Sequence, residues 1–129
     1  MNVVDSSAWL EYFADGPNAR AFAKAIADAT ELLVPSITIT EVYKRVLQQR
    51  GEHDALRAVA HMLRGEVIDL DEMQAIAAAR IGHELKLPLA DSIILAAARS
   101  RNATLWTQDA DFQSFDRVKY FPTRGARAE

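Results

Sequence analysis

Apolar residues fall into two patterns along the chain. Short, nearly unbroken apolar runs occur at Asn2–Asp5, Leu32–Pro35, Val67–Leu70 and Thr104–Thr107. Such runs read as short strands of a buried sheet, with Asp5 ending the first and Pro35 closing the second. Between them the apolar positions recur at helical spacing. Ser6 and Ser7 offer N-caps for a short helix over Ala8–Ala14, stopped by Asp15-Gly16-Pro17. Ala19, Phe22, Ala23, Ile26 and Ala27 mark an amphipathic helix over Asn18–Ala29. Thr38-Ile39-Thr40-Glu41 has capping-box spacing and opens a helix to Gln49, ended by Gly51. Further helices fit His53–Leu63, Asp71–Leu85 and Ser92–Ala98, the last started by Ala90-Asp91 after the break at Pro88. A final short helix starts at Asp109, and Val118–Phe121 fits a last edge strand.

Strands that alternate with helices imply βαβ units, a mostly parallel sheet and right-handed crossovers. No internal repeat, low-complexity tract or linker interrupts residues 1–121, which read as one α/β domain. The stretch Pro122–Glu129 is polar, carries proline and glycine, and is expected to be a mobile tail.

Length and composition narrow the class. The 129 residues, 50% hydrophobic and 26% charged, suit one domain that buries about two-thirds of its unfolded surface. With no cysteine there is no disulfide, thiolate nucleophile or cysteine-ligated zinc. No apolar run approaches the ~20 residues that cross a bilayer, and no secretion signal opens the chain. The expectation is a cytoplasmic protein without membrane attachment. Net charge is −3, which argues against a generic electrostatic grip on nucleic acid. Yet if five acids discussed below share one site, the remaining charges sum to +2, with Arg117, Lys119, Arg124 and Arg127 near the end. A mildly basic body around an acidic hole is allowed.

Several chemistries are excluded by absence. The five glycines stand apart at 16, 51, 65, 82 and 125, forming neither a dinucleotide fingerprint nor a phosphate-binding loop. There is no Gly-x-Ser-x-Gly elbow. His53, His61 and His83 lie in expected helices without zinc-like spacing and read as surface or core residues.

What remains is a set of acids in equivalent places. Asp5 ends the first strand, Glu41 lies in the first turn of the helix after the second, Asp91 opens a helix, and Asp109 follows a strand. In a parallel sheet these positions share the carboxyl edge, where open α/β folds bind ligands. Each acid singly also has a plain structural role: Asp91 and Asp109 as N-caps, Glu41 as the partner of Thr38 in a capping box. Asp5 is harder to dismiss, because a carboxylate at the end of a buried strand is costly without a cation and no Lys or Arg is near in sequence. Gathered carboxylates repel one another and raise at least one pKa unless a cation is present. Oxygen-only donors select Mg²⁺ or Mn²⁺, and such a centre supports attack by metal-activated water on a phosphodiester.

Four stretches, in order, resemble the PIN-domain nucleases, and within them the VapC-type toxins of bacterial toxin–antitoxin pairs. They are Val3–Ala8, Ser36–Glu41, Leu89–Ala98 and Leu105–Phe112, so the likeness spans nearly the whole chain. The resemblance implies a three-layer α/β/α sandwich and Mg²⁺- or Mn²⁺-dependent endoribonuclease activity leaving a 5′-phosphate and a 3′-hydroxyl. It makes Asp5, Glu41, Asp91 and Asp109 the acidic quartet, Asp111 a frequent fifth acid, and Ser6 and Thr107 small hydroxyl positions lining the site. Asp5 and Asp91 would bind metal most directly, while Glu41 and Asp109 would position a second ion or orient the attacking water. It also implies a homodimer, an RNA substrate and inhibition by a cognate antitoxin protein.

Trp9, Leu10, Tyr12 and Phe13 are too many large apolar residues for one short helix to bury on one face, and Val42, Val46 and Leu47 form a stripe on another. Together they mark either a docking groove for a partner segment or ordinary core packing. Two other functions compete with the nuclease. A PIN-like module that only binds RNA or protein would keep the fold, although here all the matched acids are present. Phosphatases and phospho-receivers also place an Asp after the first strand, but phosphatases carry a second Asp two residues on and phospho-receivers rely on a Lys. Here position 7 is Ser, and no Lys follows the strand ending at Thr107.

Overall fold

The computed structural model describes residues 1–124. Five strands, β1 (Asn2–Val4), β2 (Leu32–Pro35), β3 (Glu66–Ile68), β4 (Thr104–Thr107) and β5 (Val118–Tyr120), form one sheet in the order β3-β2-β1-β4-β5. Every neighbouring pair is parallel. Six helices accompany them: α1 (Ser6–Phe13), α2 (Ala19–Ala27), α3 (Ser36–Arg50), α4 (Glu52–Met62), α5 (Glu72–Leu85) and α6 (Leu89–Ser100).

The period-2 alternation of a strand splits the apolar runs between two cores. Val4, Val34 and Trp106 pack with Trp9, Phe22, Val42 and Met62, so α1–α4 cover one face. Val3, Leu33 and Leu105 pack with Ile94, Leu95, Ala98 and Phe112, while Ile81 and Leu85 of α5 close over them on the other face. The result is a three-layer α/β/α sandwich. The two faces follow from the strand order. The chain steps outward from β1 to β2 to β3, then returns through α5 and α6 to β4 on the far side of β1. Reversing direction while keeping one crossover hand moves the helices to the opposite face. The crevice at the reversal, between the carboxyl ends of β1 and β4, is the ligand-binding position of doubly wound folds.

Local chemistry sets the joints. Gly51, at φ 94°, both ends α3 and precedes α4, a conformation that suits glycine. Gly82 lets α5 approach α6, since a Cβ there would stand 2.7 Å from Ser92 Oγ.

Three expectations are corrected. First, α1 starts at Ser6 and its cap is Asp5, not Ser6 or Ser7, because the Asp5 side chain accepts from the Ala8 N–H. Second, Thr38 and Glu41 form no capping box. Pro35 precedes the helix, α3 is already under way at Ser36, and the Thr38 hydroxyl donates to the Pro35 carbonyl at 2.6 Å. Third, α6 begins at Leu89 immediately after Pro88, three residues before the expected start. The short helix after Asp109 is a single 3₁₀ turn over Ala110–Phe112. Asn18 is fully turned to tertiary work: its amide donates to Gln108 and to the Pro122 carbonyl, tying the start of the terminal segment to α2. The mobile tail expected over 122–129 lies, from residue 125 on, outside the described residues. Among the described residues no helix is long and apolar enough to cross a membrane.

Candidate active site

Asp5 stands at the carboxyl end of β1 and is 3% exposed. Its backbone N–H donates to the Trp106 carbonyl, which continues the β1–β4 pairing up to the crevice. Oδ1 accepts from the Ala8 N–H at 2.9 Å and from Ser7 Oγ at 2.7 Å, and Oδ2 accepts from Thr107 Oγ1 at 2.5 Å. Burial pushes its carboxyl up to about 6, against those hydrogen bonds, which favour the ionised form, while the charge of Asp109 adds to the rise.

Asp91 comes from the first turn of α6, brought to the same edge because α6 runs antiparallel to β4. Its carboxyl is pushed up to about 7, first by burial and then by the charges of Asp109, Asp5, Asp111 and Glu41. Four of the five expected acids therefore act on the fifth. Asp109 follows β4, its N–H donating to Thr107 Oγ1 at 2.8 Å and its Oδ1 accepting from the Asp111 N–H at 2.9 Å. Carboxylate oxygens of Asp91, Asp109 and Asp111 all lie within 4.8 Å of one another. Glu41, on α3, is half-buried and accepts from Ser6 Oγ at 2.5 Å.

Asp5, Glu41, Asp91 and Asp109 line one cavity of ≈ 460 Å³ together with Ser6, while Asp111 stands exposed at the side of Asp109. Thr107 lies wholly buried beneath them. All seven residues singled out in the sequence thus converge, and of the three capping roles set against the cluster only that of Asp109 is present, since Pro88 holds the cap position of α6 and Thr38 and Glu41 form no capping box. Asp5 and Asp109 cap their turns through Oδ1 while presenting the same carboxyl groups to the crevice. Neither ion pair found among the described residues, Met1–Glu31 or Arg101–Glu66, involves these acids. A set of carboxylates with half-buried members, raised pKa values and no ion-paired base fits a hard divalent cation.

Sequence reasoning missed Ser7 and the α3 residues Lys44, Arg45 and Gln48, which line the same cavity. The signal was present, since positions 41, 44, 45 and 48 share one helical face. A second cavity of ≈ 840 Å³ adjoins the first and shares Ser7, Leu10 and Arg45 with it. It is walled by Leu10, Tyr12, Phe13 and Val46. Of the apolar residues flagged in the sequence, Trp9 and Val42 are core, Val46 is buried and also borders the groove, Leu10, Tyr12 and Phe13 are half-buried and form the groove, and Leu47 is exposed and takes neither role. His61, read as a surface or core histidine, packs edge-on against Phe13 at 5.8 Å.

Fold and site together define a doubly wound α/β protein whose switch point is built from carboxylates. Residues 3–118 match the PIN domain family, and the chain belongs to that family. No curated protein sequence matches it significantly. Among solved structures it resembles a toxin–antitoxin complex from Klebsiella pneumoniae, with 22% identity over 95% of this chain and 100% of that one and a TM-score of 0.81. It also resembles VapC20 from Mycobacterium tuberculosis, described as a sarcin–ricin loop cleaving toxin, with 17% identity over 88% and 94% of the two chains and a TM-score of 0.72. FitAcB from Neisseria gonorrhoeae is 25% identical over 95% and 98%, with a TM-score of 0.64. The resemblance carried by the four sequence stretches is borne out.

Proposed function

We propose that this protein is a divalent-metal-dependent endoribonuclease acting as the toxin of a cytoplasmic toxin–antitoxin pair. The observation that carries the reading is the convergence of Asp5, Glu41, Asp91, Asp109 and Asp111, drawn from separate segments, on one switch-point cleft without an ion-paired base. The toxin–antitoxin descriptions of the Klebsiella and Mycobacterium neighbours support the class.

In this reading Asp91, Asp109 and Asp111 would hold Mg²⁺ or Mn²⁺, with Asp5, which lines the same cavity, as a further donor. When bound, such a cation would supply charge neutralisation for the phosphodiester and would lower the pKa of the attacking water. Glu41, whose Oε1 is held by Ser6, keeps Oε2 free to orient that water and accept its proton. Ser7, Ala8 N–H and Thr107 fix the Asp5 carboxyl in one orientation. Attack of the water oxygen at phosphorus would form the new P–O bond as the P–O3′ bond breaks, and the departing 3′-oxygen would take a proton from solvent, leaving a 5′-phosphate and a 3′-hydroxyl. A cognate antitoxin would occupy the groove beside the cleft. A homodimer would cover the α5–α6 surface, where Met73 is 77%, Ile76 60% and Leu89 78% exposed.

The test is incubation of total RNA and of a tRNA pool with the purified protein, with and without Mg²⁺ or Mn²⁺, beside Asp91→Asn. Discrete products that require metal and vanish in the variant are expected. No cleavage by folded, antitoxin-free protein in any RNA class would favour a PIN-like binding module.

A further inference from the structure

The acidic cleft has a basic wall. Lys44, Arg45 and Gln48 follow Glu41 at i+3, i+4 and i+7, so α3 presents one polar stripe to the cavity that holds the acids. Arg45 also borders the adjoining groove, where Arg50 and Arg57 add two more bases beside the acids Glu11 and Asp54. From Glu41 to Arg50 the helix rises about 13 Å. Lys44, Arg45 and Arg50 are exposed, and none is ion-paired among the described residues, although acids stand across the same cleft. The stripe is therefore not consumed in neutralising the site.

A chain overall negative, with five acids at its proposed reaction centre, needs local positive charge to bring a polyanion there. Flexible point charges and a guanidinium fork on a rigid helix are suited to phosphate oxygens rather than to base edges. We propose that Lys44 and Arg45 are substrate-positioning residues that hold the RNA phosphates flanking the scissile one, with the strand running along α3 towards Arg50 and Arg57. This rests on the ribonuclease reading for the identity of the polyanion. It goes beyond that reading by assigning the bases that receive the polyanion and the direction it takes. Because such contacts are to the backbone, they should weaken binding alike for every sequence.

The experiment measures binding of a fluorescently labelled, single-stranded RNA 12-mer to Asp91→Asn protein with Mg²⁺, by anisotropy over a series of salt concentrations. It is repeated with Lys44→Gln/Arg45→Gln and with the charge-conserving Lys44→Arg/Arg45→Lys in the same background. The glutamine pair is expected to lower affinity about ten-fold near 0.1 M salt. It should also flatten the plot of log affinity against log salt by about 1.4, from ~0.7 per phosphate contact on a single strand. The charge-conserving pair should restore both. In active protein the loss should fall on KM rather than kcat. Unchanged affinity and salt slope in the glutamine pair overturn the proposal, even if the wild type cleaves RNA. Binding of hexaglutamate in place of the 12-mer, lost in the glutamine pair, also overturns it and makes the stripe a docking surface for an acidic protein segment. Loss of RNA binding as expected, in a protein that cleaves no RNA, would uphold the stripe and sink only the ribonuclease reading.

Discussion

Thr107 Oγ1 donates to Asp5 Oδ2 at 2.5 Å and accepts the Asp109 N–H at 2.8 Å. One buried hydroxyl thus joins the acid after β1 to the acid after β4, and its single proton is committed to Asp5 because its lone pair serves Asp109. Thr107 is the last residue of β4, so the register Val4↔Trp106 sets where that hydroxyl stands relative to Asp5.

Thr107→Val keeps the side-chain shape and removes this link. Asp5 loses a donor that favours its ionised form, and the Asp109 N–H loses its acceptor. A stability loss of about 1–3 kcal/mol is expected, larger at pH 8 than at pH 5, with Thr107→Ser recovering most of it. Urea denaturation at the two pH values gives the answer. An equal loss at both would mean that the hydroxyl does not support the Asp5 charge.

The pH dependence of the metal-free protein follows from the two raised carboxyls. Asp5 and Asp91 go from an ordinary 3.8 to about 6 and about 7 in the fold. Between those limits the folded state binds more protons than the unfolded state, so stability falls as pH rises. The decline starts near pH 4 and levels off above about pH 7. For Asp5 alone it is on the order of 3 kcal/mol; Asp91, only half-buried, adds less than its shift suggests. Melting temperatures in EDTA should therefore drop from pH 5 to pH 8. Mg²⁺ or Mn²⁺ should raise the pH 8 value most, because the cation binds the ionised cluster. A flat EDTA profile, or a metal response no greater at pH 8 than at pH 5, would count against a coupled carboxylate site.

Neutralising one acid should separate repulsion from capping. Asp91 is not the cap of α6, a place held by Pro88, so Asp91→Asn relieves charge without losing a hydrogen bond. Metal-free Asp91→Asn is expected to be more stable than wild type at pH 8 by about 1 kcal/mol, discounted for solvent screening, and to lose most of its response to metal. Asp5→Asn should gain less, since the asparagine can still cap Ala8 but no longer offers two carboxylate oxygens. Asp5→Ala, with no cap at all, should be destabilised by about 1–2 kcal/mol. Thermal melts of the three variants in EDTA would rank them; Asp91→Asn below wild type would show that its charge is already compensated.

Asp5 was the most legible acid, because a carboxylate at the end of an apolar strand has few inexpensive explanations. Asp91 and Asp109 were legible only as members of a set, since a cap and a cleft residue occupy the same place at the carboxyl edge. Glu41 was legible from its place after β2, and the capping box that competed with that reading is absent: Pro35 lets α3 begin at Ser36, which leaves Glu41 one turn inside the helix. The start of α6 was hidden because Leu89 is 78% exposed and carries no core periodicity. Lys44 and Arg45 were not singled out, because exposed bases on a helix are ordinarily solvated. Their significance comes from the cavity they share with acids distant in the chain.

That correction bears on Glu41→Gln. With no capping box to lose, and with the amide oxygen still able to accept from Ser6, the variant should stay within about 0.5 kcal/mol of wild-type stability. RNA cleavage, by contrast, should fall by at least two orders of magnitude if Glu41 takes the proton of the attacking water. Unfolding curves and cleavage time courses on the same preparation test both halves. A well-folded variant with full activity would remove Glu41 from the chemistry.

The proposed dimer rests on the outer surface of α5 and α6. Met73 and Ile76 are spaced to share a face of α5, and both are exposed, so they form an apolar patch of the kind that marks a contact surface. Covering such residues stabilises by about 25 cal/mol for each Å² of apolar surface removed from water, which favours a second copy presenting the same patch. Ile76→Glu would put two like charges into that contact while leaving the buried Ala78 side of the helix untouched. Sedimentation equilibrium should give a dimer for wild type and a monomer for the variant, with the far-UV circular dichroism of both alike. A monomeric wild type at tens of micromolar would end the proposal, and a dimeric Ile76→Glu would move the interface to another surface.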